Sequence, residues 1–462
     1  MWDDVIVPAL TRYIEIPNKS PAFDNDWESH GYMDDAAQQL LDAIPQITVK
    51  NAAARIVKLP GRTPLILIDI PATNECRGNV LCYGHYDKQP EFEGWEDGLG
   101  PWTPVRRGDR LFGRGGADDG YAIFATLAAI SVLDAHDIGH PRCCVIIEGC
   151  EESGSFDLPF YLAELRTVIG EPDLLICLDA ECGNYDQLWL TTSLRGMISG
   201  TLNVNVLTEG IHSGGAGGIV PSSFRVLRAQ IERIENARTG QLLPELHGTI
   251  PEHVVEESAL AAQTLGEIVI DRYPWHGSTQ PSSQDLAKLL IRNTWEPSLA
   301  TVGLGGAPAP ENAGNTLRPS TAAKLVFRLP PSVHAQDAAQ AVKKAIEADP
   351  PCQATVNYDI EAAETGWFAK PTHPNLKESL NRASQAFFGN PLRQLGCGGT
   401  IPFLGMLEAS YPRCQFVATG VLGPHSNAHG PNEFLDIPTG KNVTACMAAV
   451  LGDASEFIEA TD

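Results

Sequence analysis

Glu151 and Glu152 stand side by side in Ile147-Glu148-Gly149-Cys150-Glu151-Glu152-Ser153-Gly154-Ser155, between an apolar run and a Gly/Ser turn. Adjacent carboxylates repel, so burying both gains nothing unless a cation takes one and leaves the other to accept a proton. Taken alone, the pair reads as an acidic surface turn. Four other stretches change that reading. Tyr83-Gly84-His85-Tyr86-Asp87 follows an apolar run and offers an imidazole, with Asp87 close enough to orient its ring; alone, it is a common surface pair. Gly113-Arg114-Gly115-Gly116-Ala117-Asp118-Asp119-Gly120 places two acids before a helix, where they could be no more than an N-cap. Asp179 follows Leu174–Leu178, where a strand-capping loop residue is the plain alternative. His429-Gly430-Pro431-Asn432-Glu433 adds a second imidazole, itself an ordinary surface histidine in isolation, with His425 a rival for any ligand role. Histidine and carboxylate donors are typical of zinc, and no thiolate stands at these positions. Two histidines and three carboxylates are enough for two metals that share one carboxylate.

The elements that must position these groups alternate in type. Apolar residues recur at helical spacing over 2–15 and 33–44. Short apolar runs follow at Leu65–Ile70, Val80–Tyr83, Val145–Ile147 and Leu174–Leu178, alternating with helical stretches such as Ala122–Leu133. This is the pattern of an α/β unit with buried, largely parallel strands. In that architecture the loops at strand C-termini line the site.

Near residue 196 the texture changes. Ile198, Gly200, Leu202, Val204 and Val206 alternate with polar residues, as in a half-exposed strand. A helix with Phe224, Leu227, Ile231 and Ile234 follows, then a long Pro/Gly-rich region. Beyond it come a strand at Ala322–Arg328, a helix near Ala338–Ile346 and a strand at Ala354–Ile360. Two helices on a small antiparallel sheet make an α+β unit. From about 369 the first texture returns, with a helix around Leu376–Phe387, a strand at Phe416–Ala418 and a helix over Val443–Phe457. The chain therefore divides into a discontinuous α/β catalytic domain, 1–195 and 369–462, with an inserted α+β domain over 196–368.

A chain of 462 residues is long for one core. Its net charge of -24 argues against nucleic-acid binding and favours cations near the surface. Eleven cysteines without a CxxC read as reduced thiols of a cytoplasmic protein. The start, Met1-Trp2-Asp3-Asp4, lacks a basic signal-peptide region, and the apolar stretch near Ile123–Leu133 is too short to span a bilayer. No membrane partner is expected.

The order of these motifs resembles the M20 family of metallopeptidases, which includes carboxypeptidases, carnosinase-like dipeptidases and N-acyl amino acid hydrolases. The resemblance covers nearly the whole chain, and the motif set is far more specific than any one piece. It implies that His85 and Asp179 bind one zinc, Glu152 and His429 the other, and Asp118 bridges them. It implies that Asp87 supports His85, that Glu151 is the general base, and that the Asp118–Asp119 peptide is cis. Two divalent ions are implied, zinc foremost, with manganese or cobalt as alternatives. Ile211-His212-Ser213-Gly214-Gly215 resembles the position of a histidine donated by the partner subunit of a homodimer to a developing oxyanion; read locally, His212 is an ordinary loop residue. Arg328 resembles an arginine that grips the substrate's C-terminal carboxylate, a task suited to a guanidinium fork, against the alternative of a surface ion pair. Gly398-Gly399-Thr400-Ile401-Pro402 resembles a substrate-binding glycine loop, or reads as a plain turn.

The implied reaction is hydrolysis of a peptide bond in a dipeptide or short peptide with a free C-terminal carboxylate. Metal-activated water would attack, with Glu151 as base. An N-acyl amino acid amidohydrolase shares the same chemistry, and a catalytically silent binding homologue is the reading from another class. Two departures stand out. Gly120-Tyr121 occupies the place of a frequent Lys-Gly pair. Cys397 stands where carnosinase-like dipeptidases often carry a glutamate for the substrate amine. A neutral thiol cannot hold an ammonium, so Cys397 points to substrates without a free amine there.

Overall fold

The computed structural model describes residues 1–400 and 402–458; Ile401 of the glycine loop lies outside the described residues. A six-stranded sheet runs in the order Ala53–Val57, Leu65–Ile70, Arg142–Glu148, Asn79–His85, Leu174–Cys177, Gln415–Ala418. The last four strands are parallel to one another, and Leu65–Ile70 runs antiparallel to both its neighbours, Ala53–Val57 and Arg142–Glu148. The inner strands are buried on both faces, which is why they read as unbroken apolar runs. One face packs on helices through Leu10, Phe124 and Met447; the other packs on Leu158, Phe403 and Leu407. The register sets up the site. Asn79–His85 pairs in step with Arg142–Glu148, and Tyr83 lies opposite Cys177. Two residues further on, His85 and Asp179 come level at the same sheet edge, and Glu151 and Glu152 follow three and four residues after Glu148.

The second sheet is fully antiparallel, in the order Ser298–Gly305, Ser320–Leu329, Gly196–Asn205, Thr355–Glu364. Alternate residues of its central strands are buried. Helices Ser223–Ile231 and Ala335–Ile346 cover that face. Ile198, Leu202 and Phe327 are wholly buried there, each stabilising the layer by roughly 1.5–3 kcal/mol. A three-stranded sheet joins the two units: Trp189–Leu194 pairs with Trp367–Phe368 and with Arg393–Cys397. Entry to the inserted unit and exit from it therefore run side by side. The architecture is the discontinuous α/β fold with an inserted α+β unit expected from the sequence.

Three local readings need correction. The stretch read only as a long Pro/Gly-rich region before Ala322 holds helices Glu252–Leu265 and Leu286–Thr294 and the edge strand Ser298–Gly305. The first helix buries Ser258, Ala261 and Ala262 besides Val254 and Leu265, so small residues blur its apolar period. These helices pack on Cys182, Trp189 and Leu395 rather than on the four-stranded sheet. The last helix spans Ile437–Gly452, earlier than expected, because Asp436 caps it by accepting the Thr439 N–H at 3.0 Å. Finally, the apolar stretch read as Ile123–Leu133 extends over Gly116–Ala135, which by length and composition alone could cross a membrane. The bend at Asp118–Asp119 leaves Tyr121–Ala135 as its continuous helix, and 94% of its most apolar window is buried, as in a core helix.

Candidate functional site

His85 ends its strand, and Asp179 lies two residues beyond the neighbouring one. Asp118 sits in the bend Gly116–Gly120 that leads into the buried helix Tyr121–Ala135, and the Asp118–Asp119 peptide is cis. Glu151 and Glu152 open a short turn after Arg142–Glu148. His429 lies in the loop before Phe434–Asp436, with a positive φ of 66°.

These side chains form two groups that share Asp118: His85, Asp118 and Asp179, and Asp118, Glu152 and His429. Within each group, one donor atom per residue lies within 4.8 Å of the others. The Asp118 carboxylate faces both ways. Its Oδ1 lies 3.3 Å from His85 Nε2, and its Oδ2 lies 3.1 Å from His429 Nε2. Asp179 Oδ2 is 3.8 Å from His85 Nε2, and Glu152 Oε2 is 3.3 Å from His429 Nε2. His425 belongs to neither group and lines a neighbouring cavity.

Asp87 is wholly buried and ties the two halves together. Its Oδ1 lies 3.3 Å from His85 Nδ1 and accepts the Glu151 N–H at 3.1 Å; its Oδ2 accepts the Glu152 N–H at 3.0 Å. One carboxylate thus sets a ring and the backbone of both glutamates. Gln89, which sequence reasoning passed over, donates to Glu152 Oε2 at 2.6 Å. Behind the site, buried Arg114 pairs with buried Glu433 at 2.6 Å and donates to the Gly430 carbonyl, joining the Asp118 loop to the His429 loop. Both residues stood in quoted motifs, but nothing in their spacing tied one to the other.

The electrostatics are those of too many anions for two imidazoles. Burial, with Asp179 and Glu152 nearby, pushes Glu151 well above the carboxylate range. Burial and Asp118 do the same to Glu152. Burial pushes Asp179 up to about 6 against the pull of His85. Burial would depress His85, yet Asp179, Asp118 and Asp87 hold it well above its ordinary value. These carboxylates cannot all ionise together unless further positive charge joins them. Donor type, spacing and charge all fit a pair of divalent cations.

A cavity of about 520 Å³ opens onto these groups, with Gly399 and Thr400 on its wall. Thr400 Oγ1 accepts from Arg328 Nη1 at 2.9 Å and donates to the Arg195 carbonyl at 2.6 Å. Arg195 in turn holds the Gly398 carbonyl at 3.0 Å. Arg328 is thus brought to the glycine loop. His212 is exposed on the two-residue strand Ile211–His212, paired to Thr316–Leu317, and does not line this cavity.

Known proteins resemble this chain in sequence or in fold. Cysteinylglycine-S-conjugate dipeptidase of Corynebacterium striatum is 26% identical over 362 residues, 77% of each chain. The crystal structure of human carnosine dipeptidase 1 superposes with a TM-score of 0.77 at 20% identity, covering 99% of this chain and 97% of that one. An M20 family metallo-carboxypeptidase of Sulfolobus solfataricus superposes with a TM-score of 0.75 at 19% identity, covering 97% of this chain and 99% of that one. Residues 81–453, most of the chain, match the profile of Peptidase family M20/M25/M40. The chain belongs to peptidase family M20/M25/M40 and is a metal-dependent hydrolase.

Proposed function

We propose that this protein is a dizinc dipeptidase, cleaving the peptide bond of a dipeptide or short peptide with a free C-terminal carboxylate. The observation that carries this reading is the two-way placement of Asp118, one oxygen toward His85 and the other toward His429. His85 and Asp179 would hold one ion, Glu152 and His429 the other, and Asp118 both. When bound, such a pair acidifies water and polarises a carbonyl. Glu151 belongs to neither donor group and lines the same cavity as Asp118, Glu152 and Asp179, free to take the proton of the attacking water and deliver it to the leaving nitrogen. Asp87 keeps Glu151 beside His85, because its Oδ1 accepts the Glu151 N–H and lies against His85 Nδ1. Arg328, steadied by Thr400, offers its fork to the C-terminal carboxylate. Dipeptidase names among the relatives support a short substrate.

His212 is too exposed to serve its own chain's cavity, so the reading gives it to a second copy in a homodimer formed through the inserted unit of 196–368. Eleven unpaired cysteines agree with a reducing, cytoplasmic setting. Elemental analysis together with a hydrolysis screen of dipeptides and N-acyl amino acids, each with zinc, manganese and cobalt, tests the reading. Two metal equivalents and dipeptide turnover are expected. Glu151→Gln is expected to lower kcat by about 10²–10⁴-fold while retaining metal. Wild-type turnover in that variant would refute the assigned base, and preferential hydrolysis of N-acyl amino acids would favour the amidohydrolase reading.

A further inference from the structure

Two carboxylates on the cavity wall, Glu181 and Glu364, are neither candidate ligands nor the base, and Glu181 stands beside the metal groups. Glu181 follows Asp179 by two residues, in a segment that extends the strand Leu174–Cys177 and bridges in parallel to Leu422. Residues two apart in extended chain share a face, about 6–7 Å from one another. Both Asp179 and Glu181 line the cavity that holds Glu151, Glu152 and Thr400. Glu181 is exposed, and among the described residues no Lys, Arg or His nitrogen lies within 4.0 Å of its carboxylate. Cys397 lines the same cavity. Burial, and next the Glu181 carboxylate, push its thiol up, which agrees with the two lying close together.

We propose that Glu181 binds the free α-ammonium of the substrate, making this site specific for unblocked dipeptides. The inference rests on the peptidase reading above and adds to it the state of the substrate's N-terminus. In a dipeptide the α-nitrogen lies two bonds, about 2.5 Å, from the scissile carbonyl carbon. An ammonium partner must therefore sit one residue step from the metal groups, as Glu181 does. The two ends of an unblocked dipeptide carry opposite charges. The cavity answers with a carboxylate at Glu181 and, through Thr400, a guanidinium at Arg328. Cys397 on its own pointed to substrates without an amine; the fold supplies the missing charge from a different strand end. Glu364, at the end of Thr355–Glu364, is the other carboxylate on the wall outside the metal cluster and serves as the control.

The test compares hydrolysis of alanyl dipeptides and their N-acetylated forms by metal-loaded wild type, Glu181→Gln and Glu364→Gln. Calorimetric binding of the same peptides to Glu151→Gln, with and without Glu181→Gln, gives a readout apart from turnover. Wild type is expected to favour the free amine. Glu181→Gln is expected to lower kcat/KM and affinity for the free dipeptide by about 10- to 100-fold, the scale of one charge-assisted hydrogen bond. The acetylated form should be unaffected, and Glu364→Gln should behave as wild type. Equal loss on both substrates in Glu181→Gln, an amine-specific loss in Glu364→Gln instead, or a wild-type preference for acetylated peptide would overturn the proposal. Absence of any turnover or metal uptake by wild type would instead count against the peptidase reading itself.

Discussion

Asp87→Asn is the sharpest probe of how the site is held. The side chain is 0% exposed and its two oxygens serve different donors, Glu151 N at 3.1 Å and Glu152 N at 3.0 Å, with His85 Nδ1 at 3.3 Å. Asparagine keeps the shape and replaces one oxygen with an amide that donates. Whichever way the amide turns, one buried N–H donor is left facing another, at a cost of about 1–3 kcal/mol. The surviving bond changes from a charged to a neutral acceptor, which forfeits roughly another 1 kcal/mol. The metal-free protein should therefore lose about 2–4 kcal/mol, a large share of a typical folding free energy. Because the same carboxylate orients the His85 ring, metal affinity should fall by about 10–100-fold. Urea unfolding followed by circular dichroism reads the first effect, and zinc titration against a competing chelator reads the second. Asp87→Ala should be worse than Asn, since it frees both N–H groups. If Asp87→Asn unfolds at the wild-type urea midpoint and binds zinc as tightly, Asp87 does not organise this site.

Two further predictions follow from buried charge. Glu433→Ala leaves the buried Arg114 guanidinium without its carboxylate and should destabilise the fold by about 3–5 kcal/mol. The double replacement Arg114→Met with Glu433→Leu should recover most of that loss in denaturant midpoints. Glu148 is pushed up to about 7, first by burial, while Tyr83 and Ser155 donate to it. Its folded value lies above its unfolded one, so the folded state holds a proton that the unfolded chain has released. That contribution is complete below about pH 4 and is lost as pH rises toward 7, by on the order of 3 kcal/mol. Relative to wild type, Glu148→Gln should gain stability between pH 5 and 7.5 in urea midpoints of the metal-free proteins; parallel pH profiles would contradict this.

The α/β order, the insertion and the groups able to do the chemistry were legible along the chain, because buried parallel strands are written as unbroken apolar runs and donor residues follow them. Helices whose buried face is made of serine and alanine were not, as at Glu252–Leu265, since small side chains carry little periodic signal. Residue types alone could say that His85, Asp118, Glu152, Asp179 and His429 suit cations. Strand register decided that they meet, by placing Tyr83 opposite Cys177 and His85 opposite Glu148. Likewise Cys397 read alone suggested a site without a partner for an amine, and only the packing of separate strand ends put Glu181 on the same wall. Local chemistry is a property of single side chains and can be read in one dimension. Convergence depends on pairing between strands far apart in the chain, and that is settled only when the sheet forms.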